Sequence, residues 1–353
     1  MKQNWKKLRD GQIQFESFLM REKVIDAIRA FFKKQDFHEV ETPLMVKSPG
    51  MEPYLEVFET GLLDAGNSHY RAFLTTSPEY AMKKLLVAGI PKIFQICKSF
   101  RNGEDLRSST HNPEFTIMEW YRINADYTTI MSDCEVMTEW IYDAVIGKSE
   151  KGGRILKYQG QEIDVSAPWE RISVSEAFEK YAGVVETDLQ DDIAMRNWGK
   201  KKGYAVSNST TWEQMFNQIF LNDIEPHLGF NKPTILYDYP ASMAALSRKK
   251  PDNPLYAERF EYYILGKELG NAFSELNDAQ EQEDRLRAER VERESLGKNM
   301  YDVDEDFIDA LKVGMPDAAG IAVGIDRMVM LFADVPTIQE TIWFPANEMF
   351  DEK

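Results

Sequence analysis

The sequence has few cysteines and lacks any long apolar run. Only two of its 353 residues are cysteine, Cys97 and Cys134, which gives neither a disulfide framework nor a metal-binding spacing. No stretch approaches the ~20 apolar residues that a transmembrane helix needs, and the basic N-terminal segment has no apolar core of the kind found in signal peptides. We therefore expect a cytoplasmic protein with no membrane association, in which both thiols are buried.

Positive charge is also in short supply. There are 42 lysines and arginines against 59 aspartates and glutamates, and the formal net charge is −17. Nonspecific binding to nucleic acid rests on neutralising phosphates with basic side chains, so this balance opposes a broad RNA-binding surface. It leaves room for a local basic cleft. The hydrophobic fraction of 43% suits a globular core, at a length that fits one large domain or two small ones.

The most informative stretch is residues 99–122, which read SFRNGEDLRSSTHNPEFTIMEWYR. Runs with high β-propensity flank a polar loop, and this arrangement predicts a β-hairpin. The loop carries Arg101, Arg107 and His111, and guanidinium groups match phosphate oxygens in geometry and charge. Phe115 follows at the end of the loop, where its ring is placed to stack on a base. The loop therefore indicates a polyphosphate site or an ordinary charged hairpin tip, and taken alone it does not separate the two.

A second candidate hairpin covers residues 256–275 and carries three glutamates at a spacing of seven. These are Glu261, Glu268 and Glu275. Alternate residues of a strand share a face, so Glu268 would face away from Glu275 unless a bulge near Gly270 intervenes. Acidic residues are unusual in strands, which favours a functional site over a solvated strand face.

The segment GIAVGIDRMVMLF predicts a short strand that runs through Gly324 into a helix. Glycine there permits close approach of the backbone to a ligand. Arg327 falls in the first turn of the helix, where a cation opposes the helix dipole. Either an anionic ligand or a core carboxylate should therefore hold its guanidinium.

Other patterns complete the outline of the chain. A helix begins at Ser77, Pro78 and Glu79, and the acid in its first turn is explained by the helix dipole alone. The alternating charges of residues 277–296 are explained by a solvated helix, whereas residues 147–209 are mixed and polar, with no evident chemistry. The remaining predicted elements are helices over 16–35, 128–146, 173–181 and 307–312, strands over 37–40, 69–75 and 234–239, and a hairpin near 158–165.

Three stretches occur in the order of the motifs of class II aminoacyl-tRNA synthetases. VETP around Pro43 resembles the dimer-forming first motif, FRNGE…HNPEFTIMEWY the second, and GIAVGIDRMVML the third. The HNPEFT and ELGNAFSELND stretches are similar to the lysyl-tRNA synthetase branch, and the resemblance covers most of residues 16–345. It implies an α+β fold, with an antiparallel sheet of six or so strands flanked by helices, and a homodimer.

Two further features resemble the members of this family that attach (R)-β-lysine to elongation factor P. Only about 15 residues precede the first predicted helix, where lysyl-tRNA synthetases carry an anticodon-binding β-barrel, and Ala322 stands where they usually have glycine. One methyl group in a pocket is worth roughly 1–3 kcal/mol of discrimination. We therefore expect a single catalytic domain over residues 1–353, with a helical insertion near 147–230 and no anticodon-binding domain.

The resemblance implies an enzyme that uses ATP and Mg²⁺ to activate lysine or (R)-β-lysine as an adenylate. Pyrophosphate and AMP would be released, and a lysine side chain of elongation factor P would be the acceptor, with tRNA disfavoured by the net charge. The alternatives are activation of α-lysine for tRNA or another acceptor, and a paralog without catalytic activity. Retention of motif residues such as Arg101 and Arg327 argues against the last.

The resemblance also implies which residues form each part of the site. The catalytic residues are Arg101, His111 and Arg327. The ATP contacts are Arg101, Asn102, Gly103, Glu104, His111, Asn112, Phe115, Glu268, Leu269, Gly324 and Arg327, with Arg107 near the phosphates. The amino-acid contacts are Ser77, Pro78, Glu79, Glu119, Tyr121, Asn271, Phe273, Glu275 and Ala322, with Glu79 and Glu275 flanking the side-chain ammonium. The metal ligands are Glu261 and Glu268.

Overall fold

The computed structural model describes residues 3–13, 15–148, 153–207 and 209–350. Most of its strands belong to one large central sheet, and the others form two small sheets. In chain order the strands are β1 (His38–Glu39), β2 (Met45–Val46), β3 (Glu59–Leu63), β4 (His69–Leu74), β5 (Lys92–Phe100), β6 (Glu114–Ile123), β7 (Ile155–Tyr158), β8 (Gln161–Asp164), β9 (Glu170–Ser173), β10 (Thr234–Pro240), β11 (Tyr256–Ile264), β12 (Lys267–Ser274) and β13 (Ala318–Gly324).

Helices connect and cover these strands. They are α1 (Asn4–Arg9), α2 (Glu16–Lys34), α3 (Glu79–Val87), α4 (Tyr127–Val145), α5 (Val174–Ala177), α6 (Glu186–Leu189), α7 (Asp192–Lys202), α8 (Trp212–Ile219), α9 (Ala279–Ser295), α10 (Glu305–Gly314), α11 (Ile325–Phe332) and α12 (Ala346–Met349). Short π and 3₁₀ segments occur at Phe178–Ala182, Phe220–Ile224, Glu225–His227, Ala241–Met243 and Ile338–Glu340. In the part of the chain that the structure describes, no helix is long and apolar enough to cross a membrane.

The central sheet has the strand order β1-β5-β6-β13-β12-β11-β10-β9. Its six inner strands are antiparallel, and one parallel strand, β1 or β9, is added at each edge. The predicted α+β class, with an antiparallel sheet of about six strands and flanking helices, is therefore confirmed. Both predicted hairpins form, since β5 pairs with β6 and β11 with β12.

Helices α2, α4 and α11 cover one face of the central sheet. α2 carries Val24, Ile28 and Phe31 at helical spacing, and this apolar stripe is buried. Its Phe32 ring lies 5.2 Å from the ring of Trp120 on β6, and both side chains are fully buried. Because packed apolar side chains close this face of the sheet, a ligand site has to lie on the other face.

Helices α3, α9 and α10 pack together on the opposite side of the molecule from that core. The helix predicted for residues 277–296 forms as α9, but solvation does not explain all of it, because Gln282, Leu286 and Arg293 have 0% exposure. Their spacing of four and seven residues puts them on one side of the helix. The guanidinium of Arg293 donates to the carbonyl oxygens of Glu52 and Leu55, at 2.9 and 2.5 Å. The buried side of α9 therefore holds the loop that contains these two residues.

The region predicted as a helical insertion near 147–230 contains strands as well as helices in its described part. β7 and β8 form the predicted hairpin, and β9 pairs in parallel with β10 at the edge of the central sheet. Helices α5 and α8 and the π segments that follow them bury a separate apolar cluster around Phe178, Phe216 and Ile219. This cluster packs against side chains of β10 and β11 and so extends the sheet edge.

Strand β12 contains the bulge that the glutamate spacing required. Glu268 pairs with Tyr263 and Gly270 with Tyr262, so Leu269 is the extra residue. A Cβ added at Gly270 would lie 2.7 Å from the Tyr262 ring, and glycine therefore fits beside the bulge where a larger residue would not. The bulge lets Glu268 and Asn271 line the same cavity.

The two cysteines are free and lie in different surroundings. Cys134 is fully buried, and its pKa is raised well above the ordinary value by burial. Cys97 is only half-buried, which departs from the expectation for both thiols. Burial nevertheless raises its pKa to about 12, so neither thiol is reactive at neutral pH.

Candidate active site

The face of the central sheet opposite α2 and α4 carries two neighbouring cavities. Side chains alternate along β6, so Met118 and Trp120 join the apolar core whereas Ile117, Glu119 and Tyr121 face the cavities. We call the first the loop cavity, because the β5–β6 loop covers it. We call the second the acidic cavity, because several glutamates line it. The strand pattern places both cavities over the middle of the sheet.

The loop cavity brings together most of the residues predicted to contact ATP. They are Arg101, Glu104, His111, Asn112, Phe115, Glu268, Leu269, Gly324 and Arg327. The Arg101 guanidinium lies 5.2 Å from the centre of the Phe115 ring. Its Nε is buried and has no hydrogen-bond partner among the described residues. A buried donor without a partner is costly, and an anionic ligand in the cavity would supply the missing acceptor.

The guanidinium of Arg327 is held by other residues of the loop cavity. Nη1 donates to the carbonyl oxygen of Glu268 at 2.8 Å, and Nη2 lies 2.9 Å from Nε2 of His111. Arginine only donates, so Nε2 accepts and Nδ1 carries the proton that it donates to the Ser108 hydroxyl at 2.9 Å. Burial lowers the pKa of His111, and the charge of Arg327 lowers it further. His111 is therefore neutral at pH 7 and orients Arg327.

The segment around residue 339 supports the β5–β6 loop from outside. The Gln339 amide donates to the carbonyl oxygens of Ser108 and His111, at 2.8 and 3.2 Å. The side chain of Asn112 accepts from the Ala346 N–H at 2.9 Å and donates to the Glu114 carbonyl at 2.6 Å. Both polar atoms of the Asn112 side chain are thus engaged within the protein. Nothing in the sequence pattern indicated this support.

Three residues that the resemblance assigned to the nucleotide lie outside the loop cavity. Asn102 and Gly103 are exposed, and the Asn102 side chain accepts from the Gly103 N–H at 2.9 Å. Gly103 has a φ of +74°, so it makes the turn at the end of β5. Arg107 is also exposed and does not line the cavity. The structure therefore gathers Arg101, and not Arg107, with the other cavity residues.

The acidic cavity brings together most of the residues predicted to contact an amino acid. They are Ser77, Glu79, Glu119, Tyr121, Asn271, Phe273 and Ala322. Glu52 and Glu289, which the sequence did not single out, also line it. Burial raises the pKa of both carboxyls, that of Glu289 to about 8. Pro78 lies in a neighbouring surface groove instead. A cavity with this many carboxyl groups suits a cationic ligand.

Glu119 is fully buried on the floor of the acidic cavity. Its two carboxylate oxygens accept from the hydroxyls of Ser77 and Tyr121, at 2.6 and 2.7 Å. Burial, together with the nearby charge of Glu79, raises the pKa of Glu119 to about 8. The Tyr121 ring lies where a side chain at position 320 would begin, because a Cβ at Gly320 would be 2.1 Å from it. Glycine on β13 thus permits the position of Tyr121.

Lys83 is a buried residue beside the acidic cavity that the sequence analysis did not single out. Its side chain is fully buried, and its ammonium nitrogen lies 2.5 Å from Oε1 of Glu79 and 2.5 Å from Oε2 of Glu275. Burial alone would lower the pKa of Lys83, but the charges of Glu275 and Glu79 outweigh it and raise the pKa. The sequence analysis predicted that Glu79 and Glu275 flank a ligand ammonium, and in the structure both carboxylates also pair with the ammonium of Lys83. The available signal was the spacing of four from Glu79 to Lys83 on one helix.

The two cavities share a wall. Arg101, Ile117, Asn271 and Ala322 line both of them. Ala322 pairs with Glu119 on one side and with Asn271 on the other. A ligand in the loop cavity and a ligand in the acidic cavity would therefore meet beside the Arg101 guanidinium.

Comparison with known proteins shows the family of the chain. The family model described as tRNA synthetases class II (D, K and N) matches residues 1–348. The chain belongs to this family. It is 36% identical to a lysine–tRNA ligase of Moorella thermoacetica over 338 residues, which are 95% of the chain and 66% of that protein. It is 37% identical to a lysine–tRNA ligase of Chloroflexus aurantiacus over 341 residues, 96% of the chain and 66% of that protein. The chain thus spans about two thirds of the length of these relatives.

Membership of this class II synthetase family implies a divalent cation. The carboxyl groups of Glu261 and Glu268, beside the loop cavity, suit such an ion. Burial raises the pKa of Glu268, and the neighbouring charge of Glu261 raises it further. A hard cation that prefers carboxylate oxygens would relieve that repulsion. Glu261 also accepts from Arg259 at 2.8 Å and from the Tyr263 hydroxyl at 2.5 Å, which fixes its carboxylate. No group of three or more candidate ligands occurs among the described residues, so ligand oxygens would have to complete the coordination.

Proposed function

We propose that this class II synthetase-like protein activates a lysine-type amino acid with ATP. The observation that carries the proposal is the shared wall, which joins a cavity suited to a polyphosphate and a base with a cavity suited to a cation. Arg101 lies at the junction, where the carboxylate of an amino acid and the α-phosphate of ATP would meet. The chemistry is then adenylate formation.

In the proposed complex the loop cavity takes ATP. Phe115 stacks on one face of the adenine and Arg327 on the other, with the Arg327 guanidinium near the γ-phosphate. Glu104 lines the cavity and is assigned to the adenine edge. Because the Asn112 side chain is engaged by Glu114 and Ala346, its contribution is to shape the loop. Leu269 and Gly324 contribute backbone at the nucleotide.

The acidic cavity takes the amino acid in the proposed complex. Glu79 and Glu275 lie near the side-chain ammonium together with Tyr121, whereas Glu119, Asn271 and Ser77 hold the other amine and the carboxylate. Charge-assisted hydrogen bonds of this kind are about twice as strong as neutral ones. They would select a diamino acid over an apolar one of the same size.

The first step joins the two ligands. A carboxylate oxygen of the amino acid attacks the α-phosphorus, the bond to the bridging oxygen breaks, and pyrophosphate leaves with the electron pair. The attacking group is already ionised, so no general base is needed. Arg101 stabilises the negative charge that builds on the phosphoryl oxygens. Glu261 and Glu268 would hold Mg²⁺, which offsets phosphate charge when bound.

The second step would transfer the activated group to an amine. We propose (R)-β-lysine as the amino acid and a lysine side chain of elongation factor P as the acceptor. The neutral amine of that side chain would attack the carbonyl carbon of the adenylate, the C–O bond to the phosphate would break, and AMP would leave while the nitrogen loses a proton to solvent. Ala322, at the shared wall, supports the β-amino acid because its methyl group narrows the place where the two cavities meet. The second candidate is α-lysine with tRNA as acceptor, which is favoured by the lysine–tRNA ligases among the relatives.

We also propose that the chain works as a homodimer. The first motif around Pro43 leads into the small sheet of β2, β3 and β4. That sheet exposes Leu62, Leu63 and Tyr70 to extents of 43, 55 and 52%, which supports an interface there. Sedimentation velocity of the wild type against a variant with Leu63→Glu would test this, since the variant should shift toward monomer.

The test of the proposed function is ATP–pyrophosphate exchange with α-lysine and (R)-β-lysine offered separately. Exchange that depends on either amino acid supports activation, and the better substrate identifies the amino acid. Transfer of the labelled amino acid to elongation factor P and to tRNA, measured side by side, then identifies the acceptor. Absence of exchange with both amino acids would refute the proposal and leave a paralog without catalytic activity.

A further inference from the structure

Lys83 lies inside the acidic cavity's wall and not on the protein surface. It is four residues after Glu79 on α3, on the same side of the helix as the buried Met82 and Leu86. Its side chain and that of Glu275 both have 0% exposure. A buried lysine is rare unless it is paired. Here it is paired twice, with acids from two elements that are far apart in the sequence.

The two ion pairs fix one oxygen of each carboxylate. The Lys83 ammonium pairs with Oε1 of Glu79 and with Oε2 of Glu275. These two oxygens therefore lie within about 5 Å of each other. Both carboxylate oxygens of Glu275 are buried, and among the described residues neither has a hydrogen-bond partner apart from the ion pair of Oε2 with Lys83. An unsatisfied buried acceptor normally costs stability, so the Lys83 ammonium stabilises this carboxylate. Glu79, which lines the cavity, keeps its other oxygen for a cationic ligand.

We propose that Lys83 is a positioning residue for the amino-acid substrate, which holds Glu79 and the buried Glu275 together through its two ion pairs and so presents the remaining oxygen of Glu79 to the substrate's ammonium group. This inference rests on the proposed function. Two carboxyl groups this close cannot both ionise without a cation between them, and they would share a proton instead. In the absence of Lys83 the ligand ammonium would have to displace that proton.

Other titratable groups lie around Glu79 and Glu275. From β6 they are Glu119 and Tyr121, whose pKa values are raised first by burial and then by neighbouring acids. From the loop before β3 and from α9 they are Glu52 and Glu289, which lie near Glu79. All of these groups are acids and supply no cation, so they do not replace Lys83.

The test is the variant Lys83→Met, assayed by amino-acid-dependent ATP–pyrophosphate exchange with whichever lysine supports exchange in the wild type. At pH 6.5 we expect KM for the amino acid to rise roughly 10–100-fold, the scale of one or two charge-assisted contacts, with KM for ATP unchanged. At pH 8.5 the shared proton is lost more readily, so the rise should shrink by about tenfold. The matched control is Lys84→Met, whose lysine pairs with Asp304 and Asp306 outside the cavity and should leave both KM values unchanged.

The outcomes separate this inference from the proposed function. Absence of exchange in the wild type would refute the proposed function itself. Exchange in the wild type, with an unchanged, lowered or pH-independent KM in a folded Lys83→Met variant, would overturn the role of Lys83 alone.

If Lys83→Met fails to fold, the comparison moves to Glu275→Gln with and without Lys83→Met. No proton can be shared once Glu275 is an amide. We therefore expect KM for the amino acid to agree within about threefold between Glu275→Gln and the double variant. Such agreement follows when Lys83→Met acts only through Glu275. A larger rise on adding Lys83→Met would contradict the inference.

Discussion

The two cavities would bind their proposed charged ligands with side chains of opposite charge. The loop cavity relies on Arg101 and Arg327, whose charge is permanent at any physiological pH. The acidic cavity relies on buried carboxyl groups, and the pKa of Glu119 is raised to about 8. One cavity is therefore charged before its ligand arrives, whereas the other gains part of its charge on binding. Changes in pH and in single side chains should affect the two cavities differently.

The largest expected effect comes from Arg101, which belongs to both cavities. Arg101→Ala should raise the barrier to adenylate formation by about 3 kcal/mol, roughly a 100-fold loss of exchange rate, because a preorganised charge-stabilising donor is removed. The control is Arg107→Ala, in the same loop but exposed, which should change the rate less than about twofold. An unchanged exchange rate in Arg101→Ala would show that Arg101 plays no part in the reaction where the two cavities meet.

The next effect is a difference in pH dependence. Glu119 has a pKa of about 8 in the free protein, so it carries a proton at pH 7, and binding an ammonium group against it should expel that proton. Affinity for the amino acid should therefore rise with pH, by at most about tenfold per unit, and level off above pH 8. Calorimetry in two buffers of different ionisation heat would count the protons released.

The matching control for that measurement is Glu119→Gln, which has no proton to lose. It should bind the amino acid more weakly and release fewer protons at pH 7. ATP binding should show no comparable rise over the same pH range in either protein. Equal proton release by the wild type and the variant would show that Glu119 is already ionised in the free protein.

A smaller effect is expected at the shared wall. Ala322→Gly removes one methyl group between Glu119 and Asn271, and should move the ratio of kcat/KM for (R)-β-lysine and α-lysine toward α-lysine by about 1 kcal/mol. Exchange assays with both amino acids measure that ratio directly. A ratio that does not move would mean that the methyl group plays no part in the choice.

The smallest effect should come from the support behind the loop. Gln339→Ala removes hydrogen bonds to the carbonyls of Ser108 and His111, each worth about 0.5–1.5 kcal/mol. We expect KM for ATP to rise a few-fold while KM for the amino acid stays constant. Gln280→Ala on the exposed side of α9 is the control and should change neither value. A rise in KM for the amino acid in Gln339→Ala would show that the acidic cavity also depends on the support of the loop.

Much of this arrangement is predictable from the sequence because its signals are local. The hairpins follow from paired β-prone runs, the bulge beside Gly270 from the glutamate spacing, and the helix at Arg327 from the strand before it. Arg101, Glu119 and Arg327 sit within recognisable motifs. Each of these inferences uses residues within a short stretch of chain.

The parts that escaped prediction depend on contacts between distant segments. Lys83 forms a buried ion pair with Glu275, which lies far from it in the sequence. Asn112 is engaged by the backbone of Ala346. The buried side of α9 was hidden because charged residues surround Gln282 and Leu286 in the sequence, although burial is decided by which side of the helix meets the protein. Local patterns carry no information on such pairings.

The support of the β5–β6 loop by residues 338–346 also has a consequence for synthesis. Gln339 and Ala346 contact residues that precede them by 231 and 234 positions. At a translation rate of about 5–20 residues per second, the loop waits roughly 10–50 s on the ribosome before these partners exist. A nascent chain can therefore form the β5–β6 and β11–β12 hairpins while the β5–β6 loop is still unsupported, whereas β13, which joins these hairpins in the central sheet, is made only shortly before Gln339 and Ala346. The middle of the sheet and the support of the loop would then be completed within a short interval of synthesis.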